Sequence, residues 1–158
     1  MQERSNPERA TRVWLRLIRL EARMHAAVGD RLRMIGVSIP QCDVLTTLTE
    51  QEGVNQQELA KRLYVTKGNI SGLLDRLEAA GFVERRSLVS DRRQYSIHLT
   101  EAGRAMAEKA LAVQRTWLAS TLGRLQETEL DALEAQLLRL RDIMREQDEP
   151  MAARAAGA

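Results

Sequence analysis

NQQELAKRLYVTKGNISGLLDRLEAAGFVER, residues 55–85, decides the fold. Asn55 has a short side chain able to accept from the backbone N–H three residues on, and Glu58 stands at that third position, so a short helix is expected over NQQELAKRL. Leu63-Tyr64-Val65 interrupts the period. Thr66 is a second cap. After it Ile70, Leu73, Leu74 and Leu77 recur at three- and four-residue steps, which gives the helix KGNISGLLDRLEAA one buried stripe. Gly81 stands where a left-handed residue stops a helix, and Phe82 behind it can contact Leu77. The stretch therefore reads as two short helices joined by a tight turn.

The second helix is polar outside the stripe. Thr66, Lys67, Gly68, Asn69, Ser71, Gly72, Asp75 and Arg76 face outward, and none is bulky and apolar. A glycine weakens a helix by roughly 1 kcal/mol, so Gly68 and Gly72 on one exposed face ask for a reason. Close approach to a major groove ~12 Å wide is one, with Asn69 suited to adenine edges and Lys67 or Arg76 to guanine or phosphate.

Beyond Gly81 the period changes to two. Phe82–Leu88 and Gln94–Leu99 read as strands, the second with Tyr95, Ile97 and Leu99 on one face, joined through Ser90-Asp91-Arg92-Arg93. This hairpin carries Arg85, Arg86, Arg92 and Arg93, and projecting arginines suit the negative potential of a narrow minor groove. Asp91 is given the role of orienting Arg93; the alternative is a polar turn with an ordinary surface ion pair.

The flanks are helical. Upstream, Val13, Leu17, Leu20, Met24 and Val28 place one long amphipathic helix over about Pro7 to Met34, and Ser38-Ile39-Pro40 starts another that Gly53 can end. Arg12, Arg16, Arg19 and Arg23 form a stripe along the first helix, either a solvated face or an anion contact. Downstream, Thr100 caps a helical region to about Gln147, broken near Gly123 to Glu127, whose Leu130, Leu133, Leu137, Leu140 and Met144 make a pairing seam. EPMAARAAGA has no period and reads as a frayed tail. These leucine-rich faces exceed what a domain of about 65 residues needs to cover its own core, so a second copy is expected on them; a monomeric bundle is the alternative.

In this order the pieces resemble a MarR-type winged helix-turn-helix regulator. The motifs that carry the resemblance are QCDVLTTL, the 55–85 unit, the wing motif DRRQYSIHLT and the following EAG, and with the flanking helices it covers nearly the whole chain. It implies a mainly α fold with a small two- to three-stranded wing, long terminal dimerisation helices, and a homodimer on a pseudo-palindromic operator in double-stranded DNA, usually a repressor released by small molecules or oxidants. The organisation expected is a dimerisation helix over 1–36, a DNA-binding domain over 37–102, dimerisation helices over 103–147 and a flexible tail over 148–158. The DNA contacts are assigned to Thr66, Lys67, Gly68, Asn69, Ser71, Gly72, Arg76, Arg86, Asp91, Arg92 and Arg93.

Family members often lodge ligands between the dimerisation helices and the winged domain, which implicates Trp14, Arg16, Arg19, His25 and Asp43. Trp14 is suited to stacking and Arg16 or Arg19 to a carboxylate, although dimer packing accounts for Trp14 more simply. Trp14 and Asp43 match a pair found in urate-responsive members, but the arginine those members carry in the recognition helix is here Leu73.

The total composition is less informative than the local clusters. The chain has 158 residues, 44% hydrophobic, with 24 Lys+Arg against 22 Asp+Glu and a net charge of +2. Its one cysteine, Cys42, excludes an intrachain disulfide. Set in the first turn of a helix it is either a redox-sensing thiolate or, as its lack of a resolving partner favours, an inert core thiol. Two histidines and one cysteine give no zinc pattern, so neither metal nor other cofactor is expected. No phosphate-binding glycine loop, nucleophile elbow or triad is present, which argues against an enzyme. No apolar run approaches the ~18 residues of a membrane span and the first residues lack a signal-type core, so a soluble cytoplasmic protein is expected. The rival to a DNA-binding regulator is a winged-helix protein adaptor, which would expose apolar residues on the second helix and lack the hairpin arginines.

Overall fold

A computed structural model describes residues 6–87 and 95–156, without the side chains of Lys67 and of 148–156. The elements are α1 (Pro7–Met34), α2 (Ile39–Glu50), β1 (Val54–Asn55), α3 (Gln56–Arg62), α4 (Lys67–Ala79), β2 (Val83–Ser87), β3 (Tyr95–Leu99), α5 (Glu101–Ala119), a short 3-10 turn (Leu122–Arg124) and α6 (Glu127–Ala156). Two compact units result, one up to Arg115 and one from Thr116. The fold is mainly α, with a small antiparallel sheet in the order β1-β3-β2.

Each start in the first unit has a chemical cause. Asn6 caps α1, accepting from Glu8 N–H at 2.9 Å, with Pro7 in the first turn where its missing N–H costs nothing. Ser38 and Gln41 form a reciprocal capping box on α2. Asn55 accepts from Glu58 N–H at 2.8 Å and Thr66 from Asn69 N–H at 3.3 Å, which set the starts of α3 and α4. α2 ends at Glu50, before Gly53, because the chain is already turning into β1.

The ends share one device. At the close of α1, α3 and α4 the two residues past the cap send paired N–H bonds back into the last turn. Gly36 and Val37 bond to Arg33 and Leu32, Tyr64 and Val65 to Lys61 and Ala60, and Gly81 and Phe82 to Glu78 and Leu77. The first residue of each pair is left-handed, with φ +90° at Gly36, +53° at Tyr64 and +73° at Gly81. Glycine takes that conformation freely; an L side chain there costs roughly 1–2 kcal/mol.

The core of this unit gathers Leu32, Leu45, Leu48, Leu59, Ile70, Leu74, Leu77, Ile97 and Leu99, all within 2% of complete burial. Burying one such side chain contributes about 1.5–3 kcal/mol, so the stripe of α4 is also what anchors its polar side outward. Thr100 ties two elements together: its hydroxyl donates to Gly81 carbonyl at 2.6 Å and accepts from Gly103 N–H at 3.0 Å. Gly103 is required there, since a Cβ would overlap the Phe82 carbonyl oxygen.

β3 departs from the expected alternation. Ile97 and Leu99 are buried, but Tyr95 is exposed and Ser96 is buried instead. The Ser96 hydroxyl is satisfied by Arg86 carbonyl at 3.2 Å and by His98 Nε2 at 3.0 Å.

In the second unit, Ser120 and Thr121 hydroxyls donate to Trp117 carbonyl at 2.7 and 2.9 Å and close α5. Glu129 accepts from Gln126 N–H at 2.9 Å and opens α6. α6 continues to Ala156, through the stretch expected as tail. Its Leu133, Leu137, Leu140 and Met144 are exposed.

Candidate nucleic-acid interface

α4 presents its small and polar residues outward. Thr66, Gly68, Asn69 and Arg76 are exposed, and Ser71 and Gly72 partly so. Gly68 has no other atom within 4 Å of where a Cβ would stand, so the fold itself does not demand glycine there. Arg76 folds back, its Nε donating to Gly72 carbonyl at 3.0 Å. Lys67 opens the helix, but its side chain lies outside the described residues.

The arginines of the hairpin divide. Strand alternation sends Arg85 and Arg86 to opposite faces of the sheet. Arg85, only 18% exposed, turns to α4, where its guanidinium meets Asp75 at 2.5 Å and also pairs with Glu78. Its backbone N–H donates to Glu78 at 3.3 Å. Burial disfavours its charge, but the two carboxylates more than compensate and raise its pKa. Arg85 was grouped with the free hairpin charges on sequence; its tertiary neighbours make it a brace instead. Arg86 remains exposed and pairs with Glu84 beside it. Asp91, Arg92 and Arg93 lie outside the described residues.

A cluster that periodicity did not reveal secures the other side of the sheet. Glu52 pairs with Arg104 and lies 3.5 Å from His98 Nδ1. Burial, and secondarily the Arg86 charge, lower the His98 pKa against an opposing pull from Glu84. Glu52 precedes β1 and Arg104 lies in the first turns of α5, so the carboxylate joins segments distant in sequence.

The residues considered for an effector lie on α1 and, for Asp43, on α2. Trp14, 57% exposed, and Arg16 and Arg19 stand on an open stretch of α1. His25 is 3.8 Å from Glu21 and lies close enough to Asp43 to oppose the rise that burial gives that carboxyl's pKa. None of these lines the cavity of about 510 Å³ between the start of α2 and α4, which is bounded by Ser38, Gln41, Gly68, Asn69, Gly72 and Arg76 among others.

Cys42 is fully buried, and burial, aided by the Asp43 charge, pushes its thiol up to about 11. Both the burial and the direction of this shift fit the inert core thiol better than the redox-sensing alternative, which a helix start would favour by lowering the pKa. Among the described residues no group of three or more His, Cys, Asp or Glu is placed to hold a metal ion, and no helix is long and apolar enough to cross a membrane.

Comparison with known proteins agrees with this geometry. The model of the MarR family matches residues 37–95. An HTH-type transcriptional repressor of Mycobacterium bovis is 36% identical over 109 residues, covering 69% of this chain and 78% of that protein. Among solved structures, CouR from Rhodococcus jostii, bound to p-coumaroyl-CoA, is 29% identical with a TM-score of 0.71, covering 81% of this chain and 90% of that one. A variant of MarR from E. coli, complexed with operator DNA, is 25% identical with a TM-score of 0.74 and coverages of 86% and 99%. The chain belongs to the MarR family of helix-turn-helix transcriptional regulators, not to a family of enzymes.

Proposed function

We propose that the chain works in the cytoplasm as a homodimer that grips a pseudo-palindromic operator and represses transcription until a small molecule releases it. Thr66, Lys67, Gly68, Asn69, Ser71, Gly72 and Arg76 enter the major groove, and Arg86, Arg92 and Arg93, with Asp91 orienting the last, reach the neighbouring minor groove. The observation that carries the reading is the outer side of α4: small, polar, free of large apolar residues, and flanked by an arginine-bearing strand braced to it through Arg85. An adaptor surface would need apolar anchors there.

One α4 reaches only a half-site, whereas two on a dyad meet successive major grooves ~34 Å apart. What supports a second copy is the exposure of Val13, Trp14 and Leu20 on α1, and separately of Leu137, Ile143 and Met144 on α6. The dimerisation segments are taken as 1–36 and 103–147. The effector reading draws support from the ligand-bound relative CouR. Its site is the Trp14, Arg16, Arg19, His25 and Asp43 region of the dimer, or the cavity beside α4, whose occupant would compete with DNA.

Binding of duplexes selected from genome fragments tests the reading. With several phosphates contacted per dimer, affinity should fall on the order of 10³-fold between about 50 and 200 mM salt. A chain that retains no fragment at low salt defeats it.

A further inference from the structure

Tyr64 occupies the turn between α3 and α4 in a way that packing does not explain. Three helices of the first unit close with the same pair of backbone bonds, and two of them place glycine at the left-handed residue, Gly36 and Gly81. The third places Tyr64 there, at φ +53°. Its side chain is 96% exposed, so burial returns nothing for the unfavourable backbone, and a large aromatic is left in water. Strain kept without a packing return points to a use outside the folded chain itself.

The position says what that use is. Tyr64 lies two residues before Thr66, which caps the helix whose polar side faces the groove, and it follows the exposed Lys61. A sugar-phosphate strand beside an inserted helix is contacted from the helix N-terminus and the segment leading into it, and tyrosine hydroxyls are among the groups that donate to phosphate. A phenol also lays an apolar ring against the sugar, which a glycine cannot do.

We infer that Tyr64 is a DNA-backbone contact, its hydroxyl donating to a phosphate that flanks the groove entered by α4. This rests on the DNA-binding reading above. A contact of this kind carries no sequence preference of its own; it fixes how deep and at what register α4 sits.

The test uses the full chain, a duplex of about 30 bp selected by the wild type from a random library, and a scrambled duplex of equal length. Tyr64→Gly should raise Tm by about 2–4 °C by removing the backbone strain. It should also weaken binding about tenfold, the scale of a hydrogen bond to a charged group. Tyr64→Phe should leave Tm unchanged and weaken binding comparably, and both losses should be the same factor on the scrambled duplex. Undiminished affinity in either variant overturns the contact, and a lower Tm in Tyr64→Gly assigns the ring a packing role and overturns it too. A wild-type chain that retains no duplex overturns this inference and the DNA-binding reading together, whereas a wild type that binds beside variants that bind equally well overturns the inference alone.

Discussion

Arg85 on β2 and Asp75 on α4 are ten residues apart in sequence and 2.5 Å apart in space. With Glu78 sharing the same guanidinium, two ion pairs tie α4 to β2. On the proposed docking this pairing would also offset carboxylates on the DNA-facing helix. Arg85→Ala should destabilise the fold by about 1 kcal/mol in urea unfolding, the upper end for a surface pair, because the Arg85 side chain is partly buried while Asp75 and Glu78 stay open to solvent. A double-mutant cycle with Asp75→Asn should return a coupling above about 0.5 kcal/mol; an additive result would reduce the contact to ordinary surface pairing.

Gly68 separates folding from binding. Nothing stands within 4 Å of its missing Cβ, so Gly68→Ala should raise stability by up to about 1 kcal/mol through helix propensity. On the proposed docking the same methyl would stand between α4 and the groove floor, so duplex affinity should fall. Affinity that rises with stability would show that the DNA does not approach this residue.

Gly103 is constrained in the reverse sense. Gly103→Ala drives a methyl into the Phe82 carbonyl at the start of α5, and the backbone must move. A loss of roughly 1–3 kcal/mol is expected on denaturation, the range for overpacking. An unchanged midpoint would mean that this junction yields freely.

Cys42 should be silent in the native protein. A thiol raised from 9.0 to about 11 and fully buried should react with an aromatic disulfide reagent at pH 8 only as fast as the chain opens. Because the folded state keeps its proton longer than the unfolded state, this group's stabilising contribution is complete below pH 9 and is lost as pH rises toward 11. Rapid stoichiometric labelling of the folded chain would contradict the burial.

Local chemistry made most of the fold legible. Ser38, Asn55 and Thr66 each announce a helix because a cap is satisfied within three residues, and Gly81 announces a stop for the same reason. The features that sequence missed depend on distant partners. β1 is only Val54–Asn55 and exists because Ile97 and Ser96 lie opposite. Tyr95 and Ser96 exchange their expected burial, with the Ser96 hydroxyl satisfied by Arg86 carbonyl and by His98. Arg85 looked like its neighbour Arg86 until strand alternation turned it toward α4. The left-handed backbone at Tyr64 carries no side-chain signal, since the usual marker of that conformation is the glycine that is missing.

Sedimentation velocity of the full chain with a fluorescent duplex selected by it tests the central claim most directly, because mass reports partner number and DNA binding at once. The account predicts a species of two chains on one duplex that dissociates as salt is raised, and a free protein of twice 17.9 kDa. A single chain on the duplex, or a free protein that sediments as one chain and leaves the DNA unshifted, would contradict it.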